Sequence, residues 1–241
     1  MELHKADGGM RFGIVVFPGT WSERDCHYAL TSCMGQQAEY VWHRDTDVSG
    51  YDALVLPGGF SYGDYLRCGA IARFSPVMDA IMQHADAGRL VIGICNGFQI
   101  LCEAGLLPGV LMRNRSLQFR CETVHLRAET VNSPFTGACS PRQVLRIPIA
   151  HGEGNYFAGP ETLVQLNRDH RVAFRYCGPD GAIADDANPN GSIESIAGIL
   201  NDRRNVLGMM PHPERASEDL MGGTDGTLIW RSMIEAIVGA A

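Results

Sequence analysis

The stretch Val91–Leu101 reads VIGICNGFQIL, and its reading decides the fold. An apolar, strand-forming run stops at Cys95, with Gly93 two residues before it and Gly97 two residues after. The following residues, Asn96–Ala104, carry apolar side chains at helical spacing and stop at Gly105. A buried strand that turns sharply into a helix is half of a β-α-β unit. Cys95 itself has two readings here. It can be a small apolar residue that closes a strand, since free cysteine is among the most buried residue types. It can also be the nucleophile of a G-x-nucleophile-x-G elbow, with sulfur in place of a hydroxyl. Its place at a helix N-terminus favours a thiolate.

The same alternation extends to both sides. Arg11–Phe17, Ala38–Trp42, Asp52–Leu56 and Leu90–Ile94 read as strands, and Arg24–Met34, Ser75–Ala87 and Asn96–Ala104 as the helices between them. The strands are continuous apolar runs rather than alternating ones. That is the pattern of a parallel sheet covered on both faces, with ligands at the C-terminal strand ends. From Val110 onward the texture changes. Phe119–Leu126, Val144–Ile149, Leu163–Leu166, Val172–Tyr176, Ile193–Leu200 and Val206–Met210 read as strands of a mixed or antiparallel elaboration, and Gly226–Val238 as a closing amphipathic helix. The expected fold is one α/β domain over residues 10–241, with a mostly parallel central sheet and helices on both faces, preceded by a leader at residues 1–9.

Composition excludes several function classes. The chain has 241 residues, 45% of them hydrophobic, which suits one large domain. The net charge of −7 argues against a broad nucleic-acid surface. No apolar run is long enough to span a bilayer and no signal peptide is evident, so no membrane association is expected and the location is read as cytoplasmic. The only lysine is Lys5, which rules out a P-loop and a Schiff-base lysine in the domain. The eight cysteines include no CxxC pair, and HExxH is absent, so no metal site is expected.

A catalytic cysteine needs a base. Two histidines each stand two residues before a glutamate, His151-Gly152-Glu153 and His212-Pro213-Glu214. In an extended segment such a pair points the same way, so the carboxylate can orient the imidazole. Pro211 and Pro213 stiffen the second segment, whereas Gly152 and Gly154 loosen the first. His212 with Glu214 is the preferred pair, and His151 the alternative. Gly58-Gly59, after the third strand, and the N–H of Asn96 offer donors for an oxyanion.

Taken together, GICNGFQ (residues 93–99), LPGGFSYGD (56–64), HGEG (151–154) and MMPHPER (209–215) resemble the class I, triad-type glutamine amidotransferases. The FSYGD, HGEG and MMPHPER runs narrow this to the glutaminase subunits of phosphoribosylformylglycinamidine synthases, as do NRSLQF (114–119), NPNGS (188–192) and GGTDG (222–226). The resemblance implies a flavodoxin-like fold, with Cys95 as nucleophile, His212 as acid/base, Glu214 as its orienter, and Gly59 and Asn96 as oxyanion donors. It implies that Gly58, Gln99, Asn114, Ser116, Phe119 and His151 bind L-glutamine. It further implies a thioester intermediate and ammonia passed to a synthetase large subunit, with a small accessory subunit. That synthetase would use ATP and Mg²⁺ to convert formylglycinamide ribonucleotide to formylglycinamidine ribonucleotide, and this chain would need no cofactor. Another class I amidotransferase subunit, or a cysteine hydrolase of the same fold, is the alternative. One loop departs from the family pattern: Phe17-Pro18-Gly19-Thr20-Trp21-Ser22 stands where an Asn-containing loop is usual. It is expected to lie off the triad.

Overall fold

The computed structural model describes residues 9–240, so the expected leader, Gly9 apart, lies outside the described residues. Eleven strands are described: β1 (Arg11–Val16), β2 (Gln37–Trp42), β3 (Ala53–Leu56), β4 (Leu90–Ile94), β5 (Val110–Met112), β6 (Arg120–Ala128), β7 (Val144–His151), β8 (Asn155–Phe157), β9 (Val172–Cys177), β10 (Ile196–Leu200) and β11 (Val206–Met209). Nine of them form one sheet in the order β2-β1-β3-β4-β11-β10-β9-β6-β7, and β5 pairs with β8 in a separate ribbon. Five strands, β2 to β11 in that order, run parallel, and β10, β9, β6 and β7 continue the sheet antiparallel. Both halves match the textures read from the sequence.

The connecting helices are α1 (Glu23–Tyr28), α2 (Val77–Asp86), α3 (Asn96–Glu103), α4 (Pro160–Arg168) and α5 (Thr227–Ala240). The inner parallel strands are buried along nearly their whole length, which explains their unbroken apolar runs: every residue of β3, β4 and β11 is buried, whereas the edge strand β2 is largely exposed. Phe12, Phe98, Phe174, Tyr176 and Trp230 are among the large side chains of the core. Among the described residues, no helix is long and apolar enough to cross a membrane.

Three expectations change. Leu163–Leu166 is not a strand but the centre of α4. Pro160 occupies the first turn, and Leu163 and Leu166, three residues apart, share the buried face while Val164 is exposed. The predicted helix Arg24–Met34 is α1 followed by a π-turn at Ala29–Cys33. There the Thr31 hydroxyl donates to the carbonyl of His27 at 2.7 Å, in competition with the backbone ladder. Ile193–Ser195 is a 3-10 turn rather than the start of β10, with Glu194 and Ser195 at positive φ.

Register positions the site. Leu56 on β3 and Gly208 on β11 both pair with Gly93 on β4. The three strands therefore end level. Gly58, Cys95 and His212 follow within a few residues and come together at one edge. This is the C-terminal edge where open α/β sheets place their ligands.

Candidate active site

The elbow is built as the glycines demand. Cys95 has φ 52° and ψ −105°, a conformation seldom adopted by residues with a side chain, and its N–H donates to the Met209 carbonyl at 2.8 Å. A Cβ on Gly97 would stand 1.9 Å from the Leu56 carbonyl oxygen, so α3 could not start so close to β3 with any other residue there. Cys95 is buried, and its Sγ lies 3.7 Å from the carbonyl oxygen of Ala150, at the end of β7.

His212 and Glu214 are fully enclosed, and Nδ1 of the imidazole is 2.6 Å from Oε1 of Glu214. The backbone N–H of His212 donates to Pro148 on β7 at 2.8 Å, which fixes the segment after β11. A Cβ on Gly58 would meet His212 Cε1 at 2.7 Å and Cys95 Cβ at 3.4 Å, so both side chains flank this glycine. His212 Nε2 is buried without a hydrogen-bond partner among the described residues, and that nitrogen is the one available to the thiol. Burial opposes a charge on this imidazole. The charges of Glu214 and Cys95 outweigh it and raise His212 to about 10. Arg215 approaches the same oxygen, Oε1 of Glu214, at 3.8 Å, and is itself held by Asp25 at 3.1 Å and the Ser22 hydroxyl at 2.8 Å.

A cavity of about 200 Å³ opens beside Cys95. Gly59, Phe60, Asp64 and Cys68 line one side, Gln99 and Phe119 the floor and rim, and Ala150–Glu153 the opposite wall. Of the expected pocket residues, Gln99, Phe119 and His151 line it, with Gly59 beside them. Gly58 lies behind Cys95, and its carbonyl accepts the N–H groups of Trp21 and Ser22, both at 3.0 Å. Like Gly58, two further expected residues do not line the cavity. Asn114 is fully buried behind the wall, where its side chain bonds His151 and Gly154. Ser116 is exposed and its hydroxyl caps Gln118 N–H at 3.4 Å.

Several contributors escaped the sequence reading. The side chain of Asn96 accepts the Ser61 N–H (3.1 Å) and donates to Gln99 Oε1 (2.8 Å), while Gln99 Nε2 donates to the Glu153 carbonyl (2.6 Å). Thus the residue after the nucleophile ties both cavity sides together with its side chain. The loop Phe17–Ser22 was expected to lie off the triad, yet it packs directly behind it. Thr20 bridges Gly59, Gly19 O accepts the Phe60 N–H at 2.8 Å, and Ser22 reaches Arg215. Nothing in the spacing of these residues announces such contacts. Among the described residues the Gly59 N–H has no acceptor, as an oxyanion donor requires.

Comparison with known proteins gives the family. Residues 10–224 match the family model described as a CobB/CobQ-like glutamine amidotransferase domain. The phosphoribosylformylglycinamidine synthase subunit PurQ of Moorella thermoacetica is 58% identical over 226 residues, covering 94% of this chain and 96% of that protein. The protein of the same name from Acaryochloris marina is 55% identical over 229 residues, covering 95% and 97%. A chain in the structure of PurLQS from Thermotoga maritima superposes with a TM-score of 0.85 at 42% identity, covering 95% of this chain and 99% of that one. The chain belongs to the glutamine amidotransferases, in the family of phosphoribosylformylglycinamidine synthase subunits named PurQ.

Proposed function

We propose that this chain hydrolyses L-glutamine to glutamate and ammonia and passes the ammonia to a synthetase subunit of phosphoribosylformylglycinamidine synthase, for de novo purine biosynthesis in the cytoplasm. One observation carries the reading: Cys95, on a strained elbow, lies beside a buried His212–Glu214 pair at the head of a cavity sized for a small amino acid. Two carboxyls, Asp64 and Glu153, stand in the lining with no lysine or arginine, which suits the α-ammonium end of a free amino acid.

The chemistry follows from the positions. His212 Nε2 takes the proton of Cys95, and the thiolate attacks the side-chain carboxamide carbon of glutamine. The oxyanion that forms is met by the N–H groups of Gly59 and Asn96, the latter unpaired in the first turn of α3. His212 gives its proton to the departing nitrogen, and ammonia leaves a γ-glutamyl thioester. Water, deprotonated by the same imidazole, cleaves the thioester and restores the thiol. Glu214 holds the ring with Nε2 facing the sulfur and stabilises the imidazolium. ATP and Mg²⁺ belong to the synthetase partner, which with a small accessory subunit would receive the ammonia. The family relatives carry the name of this synthase, and that name supports the partner assignment.

The test is selective labelling. A glutamine analogue bearing an electrophile at the side-chain carbonyl should modify Cys95 alone among the eight cysteines. Cys95→Ala should abolish ammonia release, measured with and without the synthetase partner and its substrates. Label spread over several thiols, or full activity of Cys95→Ala, would end the reading.

A further inference from the structure

The wall of the cavity carries a second imidazole, His151, and the two amides that hold it fix its proton. At Asn114 the backbone N–H of Gly154 donates to Oδ1 (3.0 Å), while Nδ2 donates to the carbonyls of Gln118 (2.8 Å) and His151 (2.9 Å). Oδ1 is therefore the acceptor end of that amide. His151 Nδ1, 3.1 Å away from it, must carry the hydrogen. At Asn190 the backbone N–H of Ser192 donates to Oδ1 (3.0 Å), which makes the opposite end the NH₂ group. That NH₂ donates to Gly154 O (2.8 Å) and the Tyr176 hydroxyl (3.1 Å), and stands 3.5 Å from His151 Nε2. Both of its hydrogens are thereby used, and the group offers no acceptor to a hydrogen on Nε2. The Nδ1 contact thus assigns one hydrogen and the Nε2 contact leaves no acceptor for a second, so the ring is neutral with its hydrogen on Nδ1.

A protonated His151 would point a second N–H at the Asn190 NH₂ group, itself a donor, in a buried site. The ring is also close enough to His212 for each charge to disfavour the other. Burial first, and then the His212 charge, lower His151 to about 4. The ionisable groups around it are His212 and Tyr176 on one side, and Cys95, Asp64, Cys68 and Glu153 around the cavity.

We propose that Asn114 and Asn190 are positioning residues that lock His151 as the neutral Nδ1–H imidazole, leaving His212 as the single imidazole at Cys95 able to carry its proton. This rests on the glutaminase reading above. The same clamp sets the wall itself, whose Ala150 carbonyl meets the Cys95 sulfur and whose Glu153 carbonyl anchors Gln99. Asn190 Oδ1 and the Ser192 hydroxyl, 2.7 Å apart, close the network around Gly154, so the NPNGS and HGEG segments act as one unit.

The decisive measurement is a long-range proton–nitrogen correlation spectrum of the full chain with ¹⁵N-labelled histidine. His151 should show the Nδ1–H neutral tautomer, unchanged from about pH 5.5 to about pH 8.5. A ring that is protonated in that window, or carries its hydrogen on Nε2, overturns the proposal without any variant. Asn190→Asp places an acceptor at Nε2. His151 should then titrate inside the window, and kcat for ammonia release in the assembled synthetase complex should fall roughly tenfold with KM little changed. Asn114→Ala removes the acceptor at Nδ1 and should let the Nε2–H tautomer appear. It serves if Asn190→Asp does not fold. A folded variant with the tautomer and the pH profile of the wild type would refute the clamp. Failure of the electrophile to label Cys95 in the wild type would refute the glutaminase reading instead, and the spectrum would still report on His151.

Discussion

His151 and His212 each precede a glutamate by two residues, yet the structure gives them opposite characters. His212 meets its glutamate at 2.6 Å, is buried with it, and is raised to about 10. His151 does not use its glutamate at all. The Glu153 carbonyl holds Gln99 and its carboxylate stands 3.5 Å from Arg113, while His151 is held by two asparagines. The difference lies in the residue between. Pro213 stiffens the backbone so that both side chains point inward, and Gly152 lets the chain turn its carboxylate towards the mouth of the cavity. An imidazole beside a carboxylate keeps a proton. The same ring beside neutral amides refuses one.

The comparison breaks most sharply by exchange of the two rings for asparagine. His212→Asn should reduce ammonia release roughly 10²–10⁴-fold, the range of a lost general acid–base group. His151→Asn should stay within about tenfold of the wild type. Assay of both variants in the assembled synthetase complex checks the pair. Comparable losses in the two would show that the rings share the proton transfer.

A smaller effect is expected at the orienting carboxylate. Glu214→Gln keeps the shape and a hydrogen-bond acceptor but removes the charge that holds the proton on His212. Activity should fall on the order of 10–10²-fold, the worth of a hydrogen bond to a charged group. The His212 ring should lose its proton at a lower pH, seen directly in the histidine NMR titration. An unmoved titration would mean that Glu214 does not set the charge of the ring.

The two halves of the site were unequally legible in the sequence. Strands β3, β4 and β11 announce themselves as apolar runs, and the parallel register then brings Gly58, Cys95 and His212 together. Elbow glycines and a proline-fixed His-x-Glu are local signals with a steric cause. The wall is different. Asn114, His151 and Asn190 lie 37 and 39 residues apart in successive pairs, and each has partners from a separate loop. No periodicity records a contact between loops, so Asn114 reads as a pocket residue and Asn190 only as part of the NPNGS run. Leu163–Leu166 misleads for a related reason. A four-residue apolar stretch fits strand and helix alike, and Pro160 together with the burial of two leucines settles it for the helix.

The subtlest expected effect is on stability, where the two rings act in opposite directions with pH. His212 is raised in the folded chain, so its contribution is complete below the unfolded value near 6.5 and is lost as pH rises through about 10. His151 is lowered, so the unfolded chain binds the proton first. Its contribution is complete above about 6.5 and is lost as pH falls towards about 4. Between about pH 7.5 and about pH 4.5 this one ring should remove on the order of 2–3 kcal/mol from the stability of the wild type. His151→Asn cannot titrate and should lose that much less over the same interval, whatever its stability at neutral pH. Denaturant unfolding at the two pH values gives the difference, which cancels any constant cost of the substitution. Equal losses in the two proteins would mean that His151 accepts a proton as readily in the folded chain as in the unfolded one. The neutral ring, and with it the contrast to His212, would then be wrong.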